Sequence, residues 1–86
     1  MKEHEKPLKA LANKRRLAIL GHLKKVGEAS VGDISGIIRV SFKATSRHLR
    51  ILSAADIIER EQRNREAYYH LSKPLPPVAA AVMKYI

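Results

Sequence analysis

The chain has 86 residues, of which 17 are Lys or Arg and 8 are Asp or Glu, so its formal net charge is +9. This length predicts one domain with a modest core, and a hydrophobic content of 45% indicates a folded chain. Because the chain has no cysteine, disulfides, thiolate metal sites and a cysteine nucleophile are excluded. The charge excess favours a polyanionic partner, either nucleic acid or an anionic membrane surface.

The chain lacks an apolar run of the ~18 residues that a membrane-spanning helix needs, and its N-terminus lacks a signal-peptide pattern. We therefore expect a cytoplasmic protein. The one feature that suits a membrane surface is the apolar tail over residues 78–86. Because that tail has no basic face of its own, we expect no membrane binding.

A short first helix is predicted over residues 7–12. Pro7 suits its first turn, because a proline there loses no hydrogen bond. The charged residues 1–6 are expected to fray. The face predicted to be buried comprises Leu8, Leu11 and Ala12.

A second helix is predicted over residues 14–25, after a cap at Asn13. Its predicted buried face comprises Leu17, Leu20 and Leu23. Its first turn is basic, with Lys14, Arg15 and Arg16 in sequence. Positive charge at this end opposes the helix dipole. The cluster is therefore either a solvated surface or a contact for a phosphate backbone.

Ser30 is predicted to cap a third helix over residues 31–38. Its predicted buried stripe is Ile34, Ile37 and Ile38. Ser41 then caps a fourth helix that ends near residues 54–55. Two helices joined by about three residues form a helix-turn-helix.

The fourth helix has two contrasting faces. One face is apolar at helical spacing and is predicted to be buried, namely Thr45, Leu49 and Leu52. The other carries donors that can reach phosphates and base edges, namely Lys43, Ser46, Arg47 and Arg50. Such a helix in a basic domain fits the major groove of DNA. Phe42, at its start, either contacts a sugar or a thymine methyl or packs into the core.

Residues 57–62 and 66–71 predict two strands of a hairpin with Arg63, Asn64 and Arg65 at its tip. Asn64 tolerates the positive φ of a tight turn, and the flanking arginines are expected to project towards phosphates or the minor groove. After a proline break, residues 78–86 predict a short apolar helix. It packs either on its own core or, as we favour, against a second copy.

Several segments resemble the ArsR-type winged helix-turn-helix transcriptional regulators over about residues 7–72. LKALAN from Leu8 and RLAIL from Arg16 are similar to the family's opening LKALADPTRLRIL, and SVGDI from Ser30 is similar to SVGEL. SRHLRIL from Ser46 is similar to SRHLKVL, and YYHLS from Tyr68 is similar to YYRLS. Each segment alone is a weak signal, whereas their order and spacing together are specific.

The resemblance implies a mostly helical α+β fold, a winged helix-turn-helix with a two-stranded hairpin wing and a short C-terminal helix. We expect one domain over residues 1–86, with residues 77–86 as a dimerisation helix. The expected partners are double-stranded DNA and a second copy of the chain, and the expected function is regulation of transcription, most simply repression. The predicted DNA-binding residues are Ser41, Phe42, Lys43, Ser46, Arg47, His48, Arg50, Arg63, Asn64 and Arg65. The predicted dimer interface comprises Leu8, Leu11, Val78, Val82, Tyr85 and Ile86.

Members of the family commonly release DNA when a metal or another effector binds. Metal-sensing members carry Cys-x-Cys where this chain has Val31, Gly32 and Asp33, and others place Asp and His on the last helix, where residues 78–86 have neither. We therefore predict no metal site and no cofactor, and the sequence identifies no effector. Asp56 stands where the family usually has glycine, which predicts a mildly strained turn.

Other functions remain open at this point. A winged-helix protein-interaction module or a non-specific architectural DNA binder would share the fold. RNA binding is less favoured because one Phe, three Tyr and no Trp offer few stacking platforms. No catalytic residues are predicted, since the chain shows no nucleophile constellation and no glycine-rich phosphate loop.

Overall fold

A computed structural model describes all 86 residues as five helices and one three-stranded antiparallel sheet. The elements are α1 (Lys2–Leu11), α2 (Lys14–Val26), β1 (Glu28–Ser30), α3 (Val31–Ile38), α4 (Phe42–Ala54), β2 (Ile58–Arg63), β3 (Glu66–Leu71) and α5 (Pro77–Met83). The predicted winged helix-turn-helix is confirmed: α3 and α4 form its two helices, and the β2–β3 hairpin forms the wing. None of the helices has the length and apolar character that crossing a membrane would require.

The hydrophobic core is assembled around α2. Ile19, Leu20 and Leu23 are fully buried there, and Ile19 is more deeply buried than the predicted Leu17. Every other helix and the sheet contribute apolar side chains to the same cluster. The other large apolar side chains that are fully buried are Ile34, Leu49, Leu52, Ile57 and Ile58.

The first helix is longer than predicted and buries a different face. It begins at Lys2, so that residues 2–6 are helical rather than frayed, and it ends at Leu11. Acidic residues in its first turn complement the helix dipole, and a Glu5–Lys9 pair at 3.2 Å links successive turns. The residues that it buries are Pro7, Ala10 and Leu11, whereas Leu8 and Ala12 are exposed.

The turn of the helix-turn-helix is fixed by one carbonyl oxygen. Ser35 of α3 donates to the Val40 carbonyl at 2.7 Å, and Thr45 of α4 donates to it at 3.4 Å. Arg39 adopts a left-handed conformation, with φ 56°, to end α3. Ile37 was predicted to be buried but is 57% exposed, because the short α3 buries mainly Ile34 against its neighbours.

The sheet contains a strand that the sequence did not predict. β1 pairs with β3 at its edge, so the strand order is β1-β3-β2. In the wing, Arg63 pairs with Glu66, which leaves a two-residue turn at Asn64 and Arg65. Arg63 is therefore the last residue of β2 rather than part of the tip, and Asn64 has the expected positive φ, 56°.

The C-terminal helix packs against α1 of the same chain. Ala79 and Met83 lie in the core, while Val78 and Val82 are half-buried beside it. The Lys24 ammonium donates to the carbonyls of Met83 at 2.9 Å and Ile86 at 2.8 Å, so a basic side chain caps the end of α5. One face of the predicted dimerisation helix is thus occupied within the protomer.

We expect Gly36→Ala to raise the free energy of unfolding by about 0.5–1 kcal/mol. Gly36 lies inside α3, and a Cβ added there would have no heavy atom within 4 Å. The substitution therefore removes backbone freedom from the unfolded chain without a clash. Denaturant unfolding without DNA measures the change.

The matched control is Gly27→Ala. A Cβ at Gly27 also meets no atom within 4 Å, but its φ is +91°, so alanine would be strained there by about 1–3 kcal/mol. If both variants change the free energy of unfolding in the same direction, the different backbone conformations of Gly36 and Gly27 do not determine the effect of alanine.

Candidate nucleic-acid interface

Helix α4 is held by its apolar face and by a cap at its start. Thr45, Leu49 and Leu52 are fully buried, as predicted from their spacing. The Ser41 hydroxyl accepts from the Ala44 amide at 3.1 Å, which satisfies one of the amides left free at a helix N-terminus. Burial on one side fixes which residues face solvent on the other.

The opposite side of α4 forms a donor face, comprising Lys43, Ser46, Arg47 and Arg50. These positions are three or four residues apart, so their side chains lie on one surface of the helix. Lys43, Arg47 and Arg50 are exposed and Ser46 is half-buried. None of the four side chains takes part in a hydrogen bond or ion pair within the chain, whereas their neighbours Ser41, Thr45 and His48 do. The donor face is thus free to bind an acceptor-rich surface.

Phe42 extends this surface at the first position of α4. Its side chain is 61% exposed, so the second of the two alternatives, packing into the core, is wrong. It lies beside Ser46 in a shallow groove between α4 and the wing. A large aromatic ring is therefore presented to solvent on a basic face.

The three basic residues in the first turn of α2 have different roles. Arg16 donates through Nε to the Ala10 carbonyl and at 3.2 Å to the Lys9 carbonyl, at the end of α1. Arg15 donates to the Ile38 carbonyl at 3.3 Å, at the end of α3. Both side chains therefore cap other helices. Of the three, only Lys14 is exposed.

Arg16 also contacts α4. Its guanidinium lies 3.2 Å from Nδ1 of His48. Because a guanidinium can only donate, the imidazole accepts at Nδ1 in its neutral form. Burial of the ring lowers the pKa of His48 below its usual value, and the positive charges of Arg16, Arg15 and Arg47 lower it further. His48 thus joins α4 to the start of α2.

Of the two arginines that flank Asn64 in the wing, only one is free. Arg63 donates to Glu28 of β1 at 2.8 Å and to Glu61 at 3.1 Å, and its guanidinium lies 4.8 Å from the Tyr68 ring centre. These bonds lower the pKa of both glutamates and raise that of Arg63. The expectation that both flanking arginines project from the loop is therefore wrong. Arg65, in the turn, is exposed.

The predicted dimer residues differ in their exposure. Leu8 and Ile86 are partly exposed, at 42% and 36%, and Tyr85 is 90% exposed. Leu11, in contrast, is only 5% exposed and lies in the protomer's own core, so it offers no surface to a second copy.

The histidines and acidic residues do not converge. No group of three or more His, Cys, Asp or Glu side chains is close enough to hold a metal ion. His70 lies 3.6 Å from Glu59 on the neighbouring strand, and His22 lines a depression between α2, β1 and α3.

Sequence reasoning missed the structural roles of Arg15, Arg16 and Glu28. The partners of the two arginines are backbone carbonyls at the ends of other helices, which no local pattern reveals. Glu28 lies 35 residues from Arg63. An acidic residue in a strongly basic chain was the only available signal, and it did not specify a partner.

The lowered pKa of His48 predicts a pH-dependent stability. As the pH falls below about 6.5, the unfolded chain binds a proton at this position that the folded chain does not, so the free energy of unfolding should decrease. The loss should be complete once the pH is below the folded pKa. Denaturant unfolding at a series of pH values measures it.

The reference variant is His48→Asn, because an amide oxygen can accept from Arg16 without titrating. Subtracting the variant's free energy of unfolding from that of the unaltered protein at each pH removes the contributions of other titrating groups. Two parallel profiles between about pH 7 and 5 would show that His48 is not held in its neutral form.

Comparison with known proteins supports the winged helix-turn-helix fold. Residues 13–60 match the model of the bacterial regulatory protein, arsR family. The chain is 35% identical over 72 residues to the arsenical resistance operon repressor of Bacillus subtilis, which covers 84% of this chain and 69% of that protein. It is 38% identical over 65 residues to the transcriptional activator HlyU of Vibrio cholerae, covering 76% of this chain and 59% of the relative.

Solved structures agree with these sequence matches. HlyU from Vibrio cholerae superposes with a TM-score of 0.83 at 31% identity, covering 98% of this chain and 87% of that one. A homodimeric winged helix-turn-helix DNA-binding domain from Mycobacterium bovis superposes with a TM-score of 0.82 at 26% identity, covering 98% and 74%. These relatives are transcriptional regulators rather than enzymes. The chain belongs to the ArsR family of bacterial regulatory proteins.

Proposed function

We propose that the protein is a sequence-specific double-stranded DNA-binding transcriptional regulator that acts as a homodimer on an inverted-repeat operator. The observation that carries this proposal is the unpaired donor face of α4, held outward by a fully buried apolar face in a chain of net charge +9. A recognition helix of this kind reads base edges in the major groove. The excess positive charge draws the protein to the phosphate backbone.

The donors on α4 and the wing take different parts in this proposal. Lys43, Ser46 and Arg47 approach base edges, while Ser41 and Arg50 hold the helix against phosphates. Arg65 carries the wing contact, and Asn64 shapes its turn. Arg63 positions the wing instead, since Glu28 and Glu61 already occupy its guanidinium. His48 positions α4 through Arg16.

The exposed apolar residues of α1 and the C-terminal segment support a homodimer. Leu8 and Tyr85 leave apolar surface in water on elements that pack together within the protomer. The Mycobacterium bovis neighbour is a homodimer, and closed two-fold pairing is the commonest form of self-association. A second copy would cover this surface and place two α4 helices on successive major grooves.

Repression is the direction of regulation that we propose. The arsenical resistance operon repressor matches more of this chain than the activator HlyU does, 84% against 76%. We further propose that the protein works without the metal-sensing sites of the family, because Val31 and Asp33 stand where metal sensors have cysteines, and α5 contains neither Asp nor His. A bacterial DNA-binding regulator of this kind works in the cytoplasm.

Selection of bound duplexes from a randomised DNA pool, at physiological salt, tests the proposal. The expected product is an enriched inverted repeat with half-sites about one helical turn apart. Retained DNA without enrichment would instead mean a non-specific architectural binder, and no retained DNA would mean a protein-interaction module. Either result would refute specific recognition.

We expect Arg47→Ala and Arg65→Ala to weaken DNA binding in different ways. Arg47→Ala should lose about 5- to 150-fold of discrimination between the selected and a scrambled site, the range of one base contact. Arg65→Ala should weaken both sites equally and reduce the slope of log K against log salt by about 1. Fluorescence anisotropy over a salt series measures both effects.

Arg63→Ala serves as the control for the wing. The Arg63 guanidinium is already bound to carboxylates. Arg63→Ala should therefore change the slope of log K against log salt less than Arg65→Ala does. Equal losses for Arg47→Ala on matched and scrambled sites would contradict the division between base and phosphate contacts.

We expect Leu8→Lys to convert the dimer to monomers, because each copy would bring a further charge to the proposed interface. Leu8 is 42% exposed, so the protomer should remain folded. Val26→Lys is the matched control, since Val26 is 48% exposed on a different helix. Sedimentation velocity that shows an unchanged Leu8→Lys dimer would place the interface elsewhere.

A further inference from the structure

The chain's single phenylalanine, Phe42, is exposed at a position where it adds nothing to the core. It is the first residue of α4 and is 61% exposed. Ser46, which lies one turn further along α4 and lines the same groove, belongs to the donor face. The ring is therefore an apolar element placed next to the donors that meet DNA in the proposed function.

Phe42 borders a groove that is open to a ligand. Phe42 and Ser46 line one side of a groove of about 420 Å³ between α4 and the wing. Arg60, Gln62 and Arg65 line the other side. The groove is also lined by the apolar side chains of Val31, Ala67 and Tyr69 and by the carboxylate of Glu66. Phe42 is the most exposed of its apolar side chains.

The chemistry of the major groove offers one partner for such a ring. Base pairs present hydrogen-bond donors and acceptors there, and a single apolar group, the C5-methyl of thymine. A phenyl ring cannot hydrogen-bond to any of the polar groups, and it would desolvate them without replacing their water. Against a thymine methyl, it buries apolar surface on both sides.

We propose that Phe42 recognises the C5-methyl of a thymine in each half-site. This inference rests on the proposed function, because it requires α4 to enter the major groove. The first turn of a recognition helix is the part that contacts base edges. Phe42 thus selects thymine over cytosine at one base pair, while the donor face discriminates between bases at the neighbouring base pairs.

Replacing thymine by deoxyuridine tests this contact, because it removes only the methyl and leaves the pattern of donors and acceptors unchanged. Each thymine of the selected half-site is replaced in turn, and binding is measured by anisotropy. At one position, the unaltered protein should lose about 3- to 10-fold in affinity, the range for one buried methyl group. Cytosine there should bind more weakly than 5-methylcytosine.

Phe42→Ala provides the matching half of a double-mutant cycle. Since Phe42 is exposed, the variant should unfold like the unaltered protein, and it should bind the thymine and deoxyuridine duplexes equally at that position. Arg65→Ala, which alters the other side of the groove, should keep the full sensitivity to the methyl.

Three outcomes would overturn the inference. If an inverted repeat is enriched but no deoxyuridine weakens binding, the proposed function stands and Phe42 meets a sugar or nothing. If Phe42→Ala remains sensitive to the methyl, another residue reads it. If no sequence is enriched, the inference fails together with the proposed function.

Discussion

The burial of one face of α4 determines where every donor on that helix points. Leu49 and Leu52 are fully buried, and each contributes about 1.5–3 kcal/mol through burial. Thr45 adds a hydrogen bond to the Val40 carbonyl of the turn. Because the helix repeats every ~3.6 residues, fixing these three positions fixes the direction of all the others. The donor face therefore needs no contact with the rest of the chain to be held in place.

The arginines divide into those that hold the fold together and those left free. Arg15 and Arg16 satisfy carbonyls at the ends of α3 and α1, and Arg63 is bound by two carboxylates. Arg47 and Arg65 are exposed. Formal charge counts all of these residues alike, whereas only the second group has guanidinium groups free to bind an anionic partner. The charge of a basic domain thus overstates the number of contacts that it can make with DNA.

Local signals in the sequence were sufficient for the helix caps and the recognition helix. Ser30 and Ser41 each cap the helix that was predicted from the residues after them, and periodicity alone identified the buried side of α4. The failures involve distant partners. β1 has only three residues and pairs with β3 some forty positions later, and the left-handed Arg39 depends on how α3 meets α4. Leu8 and Ile37 were predicted to be buried because periodicity marks an apolar face without showing what covers it.

The short strand β1 links the wing to the helix-turn-helix. Ser30 is its last residue, pairing with Tyr68 of the wing, and the same residue caps α3 by accepting from the Asp33 amide at 3.1 Å. Two positions earlier, Glu28 holds Arg63 at the end of β2. The three residues of β1 therefore connect the wing with the start of α3. Since α3 is bonded to α4 through the Val40 carbonyl, hydrogen bonds connect the wing with the helix that carries the donor face.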